Sequence, residues 1–256
     1  MDIVISRQDG ILIIEFNRPE KKNSITSAMY QAMADALKTG EQDKSARVIL
    51  FCGKPDIFTA GNDLEDFMNM PSEGELADRP VAQFMLRLIG VTKPVITAVA
   101  GAAVGIGTTM LLHCDMVYAA DNAKFSMPFT RLGLCPEFAS SMLLSQVVGY
   151  PRAAEKLLLG EPFSAEEAYE MGLINKILPQ SQLMPYALAQ AAKLTRLPAS
   201  SLRTTKSLMK AYQADKIKEK MMEENGHFGK MLLSEEAKEA FTAFFEKRKP
   251  DFTKLS

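Results

Sequence analysis

Tryptophan is absent, histidine occurs twice, and the three cysteines stand apart from one another. Each scarcity removes a class of function. His113 and His227 have no companions at ligand spacing and no CxxC pair exists, so no metal site is expected. Cys52, Cys114 and Cys135 sit in apolar or mixed stretches. So sparse and odd a set reads as reduced thiols in or near a core, and fits a reducing, cytoplasmic compartment. Neither sign of charge is in excess: 30 Lys and Arg against 31 Asp and Glu leave a net charge of -1. That balance implies no general attraction to nucleic acid or to an anionic membrane. Long hydrophobic runs are missing too. The most apolar stretch, Val95 to Leu112, is broken by Gly101, Gly105 and Gly107, and reads as strand, turn and buried helix rather than a membrane span. No basic segment followed by an apolar run opens the chain, so no secretory signal is expected.

What is present is ordinary globular composition, 47% hydrophobic and 24% charged over 256 residues, enough for one sizeable core. Ile3 to Ser6 and Ile11 to Phe16 are β-rich runs around Asp9-Gly10, a hairpin signal. Thr26 or Ser24 can cap a helix that carries Met29, Met33, Ala36 and Leu37 on one face. Arg47 to Cys52 is a continuous apolar run, as a strand buried on both faces would be. A loop is expected from Gly53 to Asp63, then a short helix near Leu64 to Met70. The polar stretch Pro71 to Pro80 is the candidate mobile loop. Strands are expected at Pro94 to Val99, Met116 to Ala119 and Leu173 to Leu178. Helices are expected at Val81 to Ile89, through Met110 to Leu112, from about Ala139 to Val148, and at Pro151 to Leu159. Ser164 with Glu167 forms a capping-box pattern, and Gly172 can stop the helix it begins. From Ser181 onward only helices are read, the last capped by Ser234. Alternation to about residue 180 followed by a helical tail predicts an α/β core.

Two glycine-containing segments carry chemistry. Ala100 to Gly107 follows a strand and opens a helix, a place where exposed backbone N–H groups and the positive helix end favour an anion. A dinucleotide fingerprint would need glycine at Met110, and no phosphate-loop lysine follows. Close helix–strand packing explains this cluster alone equally well. Phe58-Thr59-Ala60-Gly61-Asn62-Asp63-Leu64 also lies between a strand and a short helix, and there Asp63 can simply cap the helix. Together, two such junctions are what an oxyanion hole requires.

Over nearly its whole length the chain resembles the crotonase, or enoyl-CoA hydratase/isomerase, superfamily. The matching stretches are Asn17-Arg18-Pro19 with Lys22-Asn23-Ser24, the Phe58 to Leu64 segment, Lys93 to Gly101, Val104 to Gly107, Asp115, Ala119-Ala120-Asp121, Phe125, Leu132-Gly133-Leu134 with Pro136, and Ala165 to Ala168 with Gly172-Leu173-Ile174. The resemblance implies a ClpP/crotonase-type core of repeated ββα units over residues 1–195. It also implies a C-terminal helical segment, 196–256, for packing and trimerisation as a homotrimer or dimer of trimers. It implies an acyl-CoA thioester as substrate and no cofactor beyond the coenzyme A that the substrate carries. Within the family, one oxyanion N–H falls on Ala60 and the other on Ile106. The flanking Gly61, Asn62, Asp63, Leu64 and Gly105 would line the bound thioester, and Lys22 and Lys247 would approach the coenzyme A nucleotide.

The acid and base decide the reaction. The two glutamates of the family's hydratases fall on Thr109 and Phe129, neither of which can transfer a proton as a carboxylate does. Glu137, in Leu134-Cys135-Pro136-Glu137-Phe138, occupies the position of the single catalytic glutamate in isomerases resembling the peroxisomal type. Its apolar neighbours would raise its pKa toward neutrality. The expected activity is therefore conversion of 3-enoyl-CoA to 2-enoyl-CoA. Hydration or another crotonase reaction is the first alternative, and a non-catalytic acyl-CoA-binding module is the second.

Overall fold

The computed structural model describes residues 1–68, 79–253 and 255, so most of the stretch expected as a mobile loop, Pro71 to Pro80, lies outside the described residues. In chain order the strands are β1 (Ile3–Gln8), β2 (Ile11–Phe16), β3 (Val48–Cys52), β4 (Ile57–Thr59), β5 (Val95–Val99), β6 (Ala102–Val104), β7 (Met116–Ala120), β8 (Lys124–Ser126), β9 (Phe163–Ser164) and β10 (Lys176–Leu178). The helices are α1 (Ser27–Gln42), α2 (Leu64–Met68), α3 (Pro80–Gly90), α4 (Ile106–Thr109), α5 (Ser140–Val148), α6 (Tyr150–Leu159), α7 (Ala165–Glu170), α8 (Gln180–Thr195), α9 (Ala199–Lys210), α10 (Ala214–Met231) and α11 (Glu235–Phe245). Among the described residues, no helix is long and apolar enough to cross a membrane.

The strands form two sheets. The larger runs β1-β2-β3-β5-β7-β10, parallel throughout except for the β1–β2 hairpin. Asp9 and Gly10 both take positive φ in that hairpin, as a tight two-residue turn demands. The smaller sheet runs β4-β6-β8-β9. Each of β3, β5 and β7 belongs to the large sheet and is followed at once by a partner in the small one, which makes the repeated ββα unit visible. Alternation along β3 explains the layering. Val48, Leu50 and Cys52 join Ile96, Ala98 and the Leu183, Ala187 and Ala191 stripe of α8 on one face. Ile49 and Phe51 point into the main core with Met29, Met33 and Leu37 of α1 and Phe84 of α3.

The strands of the small sheet were not read from the residues themselves, although the ββα units implied by the resemblance call for a second strand in each. The segment read as a plain loop from Gly53 to Asp63 contains β4, and β6, β8 and β9 add two or three residues each. Runs that short carry no usable periodicity. Their consequence is large, because β4, β6 and β8 are parallel neighbours. Their C-terminal ends therefore emerge along one edge, and the segments that follow them, at 60–63, 105–107 and 127–139, converge there.

Candidate active site

The first junction is anchored from a distance. Lys22 and Asn23 both adopt left-handed backbone conformations at the end of a 3-10 turn, Pro19–Lys21. Asn23 is wholly buried: Oδ1 accepts from Arg18 N at 2.7 Å, and Nδ2 donates to the carbonyls of Ile57 and Phe58 at 3.1 and 3.0 Å. The Thr59 hydroxyl donates to Asn23 O at 2.6 Å. The 18–25 turn is thus fastened to β4.

That fastening corrects one expected donor. Ala60 N–H donates to Lys22 O at 3.0 Å and Gly61 N–H to Thr59 Oγ1 at 3.1 Å, so neither is free. Asn62 forms a parallel bridge with Ile25, in which Ile25 N–H donates to Gly61 O and Asp63 N–H to Ile25 O. In such a bridge the central residue turns its own N–H to the opposite side. Asn62 N–H accordingly has no acceptor among the described residues, two residues beyond the expected donor, Ala60.

Asp63 is also committed elsewhere. Its carboxylate accepts from Arg18 at 2.7 Å and from Ser24 at 3.0 Å, and its other oxygen caps α2 through Asp66 N–H. Burial raises its pKa, but the Arg18 bond and these donors outweigh that and hold it below the usual range. Asp63 shapes the loop and is not available to a ligand.

The second junction follows β6. Gly105 sits at φ 55, ψ -119, a conformation reserved for glycine, although a Cβ there would meet nothing within 4 Å. Its turn opens α4, where Thr108 and Thr109 N–H donate to Gly105 O but Ile106 and Gly107 N–H find no acceptor among the described residues. The two junctions touch: a Cβ on Gly61 would lie 2.8 Å from Val104 O, and one on Gly107 2.5 Å from Thr59 Cγ2. Unpaired N–H groups of Asn62 and Ile106 therefore flank one contact.

The third segment carries Glu137. Its side chain is buried and Oε1 has no hydrogen-bond partner. Burial first, and the charge of Glu224 second, push its pKa up to about 8. Thr109 Oγ1 and Ser140 Oγ are likewise buried without partners. Buried polar atoms rarely stay unpaired, and these three lie on or next to the converging segments. Phe129, the other position of a hydratase glutamate, is a buried apolar side chain.

Phe138 and Ala139 follow Glu137 with φ 63 and 56, two successive non-glycine residues in the left-handed region. Two side chains that the sequence did not single out for this role hold them. His113 stacks on the Phe138 ring at 3.9 Å, and its Nε2–H donates to Phe138 O at 2.8 Å. A carbonyl only accepts, so Nε2 carries the proton, and burial pushes the imidazole down to about 3, which keeps it neutral. Glu224, from α10, takes hydrogen bonds from Ala139 N–H, Ser141 N–H and the Ser141 hydroxyl. Tyr30, from α1, donates to Asn62 Oδ1 and feels the charge of Glu137. None of the three follows from local sequence, because each comes from a distant element.

The two lysines expected at the nucleotide stand apart from this buried cluster. Lys22 is exposed at the turn beside β4. Lys247 is exposed just beyond α11, whose first turn packs against Gly133. At 1.5 Å per residue, the length of α11 separates Lys247 from that contact.

Two N–H groups without acceptors among the described residues, at the ends of parallel strands, and a buried carboxyl on the segment that follows a third strand make up the candidate site. The chain matches the Enoyl-CoA hydratase/isomerase family model over residues 6–255, and it belongs to that family. It is 36% identical over 252 residues to enoyl-CoA delta isomerase 2 of Rattus norvegicus, covering 97% of this chain but only 64% of the rat protein. It is 31% identical over 252 residues to 2,3-dehydroadipyl-CoA hydratase of Escherichia coli K12, covering 98% of both chains. Among solved structures, an enoyl-CoA hydratase/isomerase from Pseudoalteromonas atlantica superposes with a TM-score of 0.95 at 38% identity, covering 99% of this chain and all of that one.

Proposed function

We propose that the protein is an isomerase that moves the double bond of a 3-enoyl-CoA thioester into conjugation, giving the 2-enoyl-CoA, in fatty acid oxidation. The observation that carries this reading is the buried carboxyl of Glu137, whose Oε1 is without a hydrogen-bond partner, with threonine and phenylalanine where a hydratase would hold its two glutamates. Glu137 removes a proton from the carbon next to the thioester carbonyl. The negative charge that develops on the carbonyl oxygen is held by the Asn62 and Ile106 N–H groups. The same carboxyl returns the proton two carbons further along. No group beyond the substrate's own coenzyme A is needed. The assembly that goes with this reading is a trimer or a dimer of trimers, with Lys22 and Lys247 near the nucleotide.

A paired assay tests the reaction. Purified protein should convert a 3-enoyl-CoA to its conjugated isomer and add water to a 2-enoyl-CoA slowly or not at all. Rapid hydration of the second substrate with no migration in the first would replace the isomerase by the hydratase. Binding of both thioesters without turnover would leave the binding module.

The donor assignment has its own test. Replacing the residue 62 peptide N–H by an ester oxygen, through an α-hydroxy acid introduced at that position, should lower kcat by ~10²- to 10³-fold with little change in KM. The same replacement at residue 60 should instead cost stability, since that N–H is already spent on Lys22 O. Equal catalytic losses at both positions would sink the choice of Asn62 over Ala60.

A further inference from the structure

Glu224 lies in the C-terminal helical segment, on α10, yet its carboxylate is buried against the loop that carries Glu137. Every protein group directed at it is a donor. Oε2 accepts from Ala139 N–H at 2.5 Å, and Oε1 accepts from Ser141 N–H at 3.0 Å and from the Ser141 hydroxyl. The Cys135 thiol donates to the Glu224 backbone carbonyl at 3.7 Å, so the loop is held on both sides of Glu137. An isolated buried acid would be costly; one that collects three donors is a built feature. The residues it grips include Ala139, whose left-handed backbone would relax without such a hold.

We infer that Glu224 is a positioning residue for Glu137: it clamps the 138–141 turn that aims the Glu137 carboxyl and sets the electrostatic field in which that carboxyl works. The inference rests on Glu137 being the base. It also gives the C-terminal helices a part in the chemistry besides packing.

The surroundings leave few other sources for such a field. Facing Glu137 are Glu224 from α10, Tyr30 from α1, Cys135 from its own loop, and His113 beneath Phe138. Tyr30 and Cys135 are pushed up by burial and stay neutral, and His113 is neutral too. Glu224, whose oxygens receive three donors, is the neighbour with the surroundings of a carboxylate. Burial pushes its own pKa up, while the donors from Ser141 and Ala139 and the charge of Lys220 draw it back. A carboxylate at 224 disfavours a second one at 137 and keeps Glu137 basic.

Two variants separate charge from position. Glu224→Gln removes the charge and points an amide N–H at a backbone N–H. The rising limb of the kcat/KM pH profile should move to lower pH by about 0.5 or more, and the kcat plateau should fall ~10-fold or more with KM within about 3-fold. Glu224→Asp keeps the charge but shortens the reach. Its limb should stay in place while its plateau falls. A readout independent of turnover is the pH titration of Glu137 by carbon-13 NMR in protein labelled at the glutamate carboxyls, its signal identified by loss in Glu137→Gln. An unmoved Glu137 titration in Glu224→Gln overturns the electrostatic half, and an unchanged plateau in both variants overturns the clamp. Should Glu224→Gln fail to fold, a wild-type plateau and KM in Glu224→Asp would be enough to overturn the clamp. If wild-type protein shows no isomerisation while the Glu137 titration still shifts in Glu224→Gln, the proposed reaction has failed and the coupling stands.

Discussion

Glu137→Gln should reduce double-bond migration by ~10³-fold or more in kcat while leaving KM for the thioester close to wild type, because the amide keeps the shape and loses only the proton transfer. A second signature separates this result from simple damage. The Glu137 pKa in the folded protein is about 8, against 4.5 for the free side chain. Below pH 4.5 both folded and unfolded chains hold the proton, and the group costs nothing. Between 4.5 and about 8 the unfolded chain ionises while the folded one cannot, so stability is lost as pH rises. Above 8 the penalty is complete; it accumulates at about 1.4 kcal/mol for each pH step of one across that interval. Glutamine carries no such penalty. The variant should therefore be more stable than wild type at pH 8 to 9 by several kcal/mol, and the gap should close toward pH 5. Thermal denaturation across that range measures it. A gap that stays constant with pH would show that Glu137 is not held in a desolvated site. The wild-type rate should rise in parallel through pH 8, because the ionised fraction of the base grows as its folding cost grows.

Much of this architecture could be read from local chemistry. Asp9-Gly10 implied the β1–β2 hairpin, Thr26 or Ser24 the start of α1, where Thr26 is the cap, and Ser164 with Glu167 the start of α7, whose reciprocal capping bonds are both present. In each case the signal and its consequence lie within a few residues. The small sheet escaped because its strands are two or three residues long, and only their pairing with one another makes them strands. The site divides the same way. Ile106 and Glu137 stand in short motifs whose register can be followed. The move from Ala60 to Asn62 depends on which N–H the Lys22 carbonyl captures, and that is decided by the fold of a separate turn. Glu224 in Met221-Met222-Glu223-Glu224 looks like any acid on a helix surface; Glu223 beside it is indeed exposed and pairs with Lys220. Only tertiary packing makes Glu224 different.

Asn23→Ala should cost about 3 kcal/mol of stability or more, a large effect for a residue with no part in proton transfer. The substitution takes the acceptor from Arg18 N–H and the donor from the Ile57 and Phe58 carbonyls, all at the buried root of β4. Ile57 O keeps a bond from Lys54 N–H, so the sharper losses fall on Arg18 and Phe58. Alanine must also hold φ 54, which asparagine tolerates better. Asn23→Asp keeps an acceptor for Arg18 N–H but sets a carboxylate oxygen against two carbonyls, so it should not rescue. The catalytic consequence follows from position. Asn23 fixes the turn whose Lys22 carbonyl occupies Ala60 N–H, and that occupation leaves Asn62 as the free donor. Loosening it should blur the oxyanion geometry and lower kcat ~10-fold or more even in the fraction that stays folded. Chemical denaturation and steady-state kinetics on the same preparation distinguish the two effects. Full kcat per folded molecule would mean that the Asn62 donor is held by β4 alone and that the Asn23 turn serves only stability.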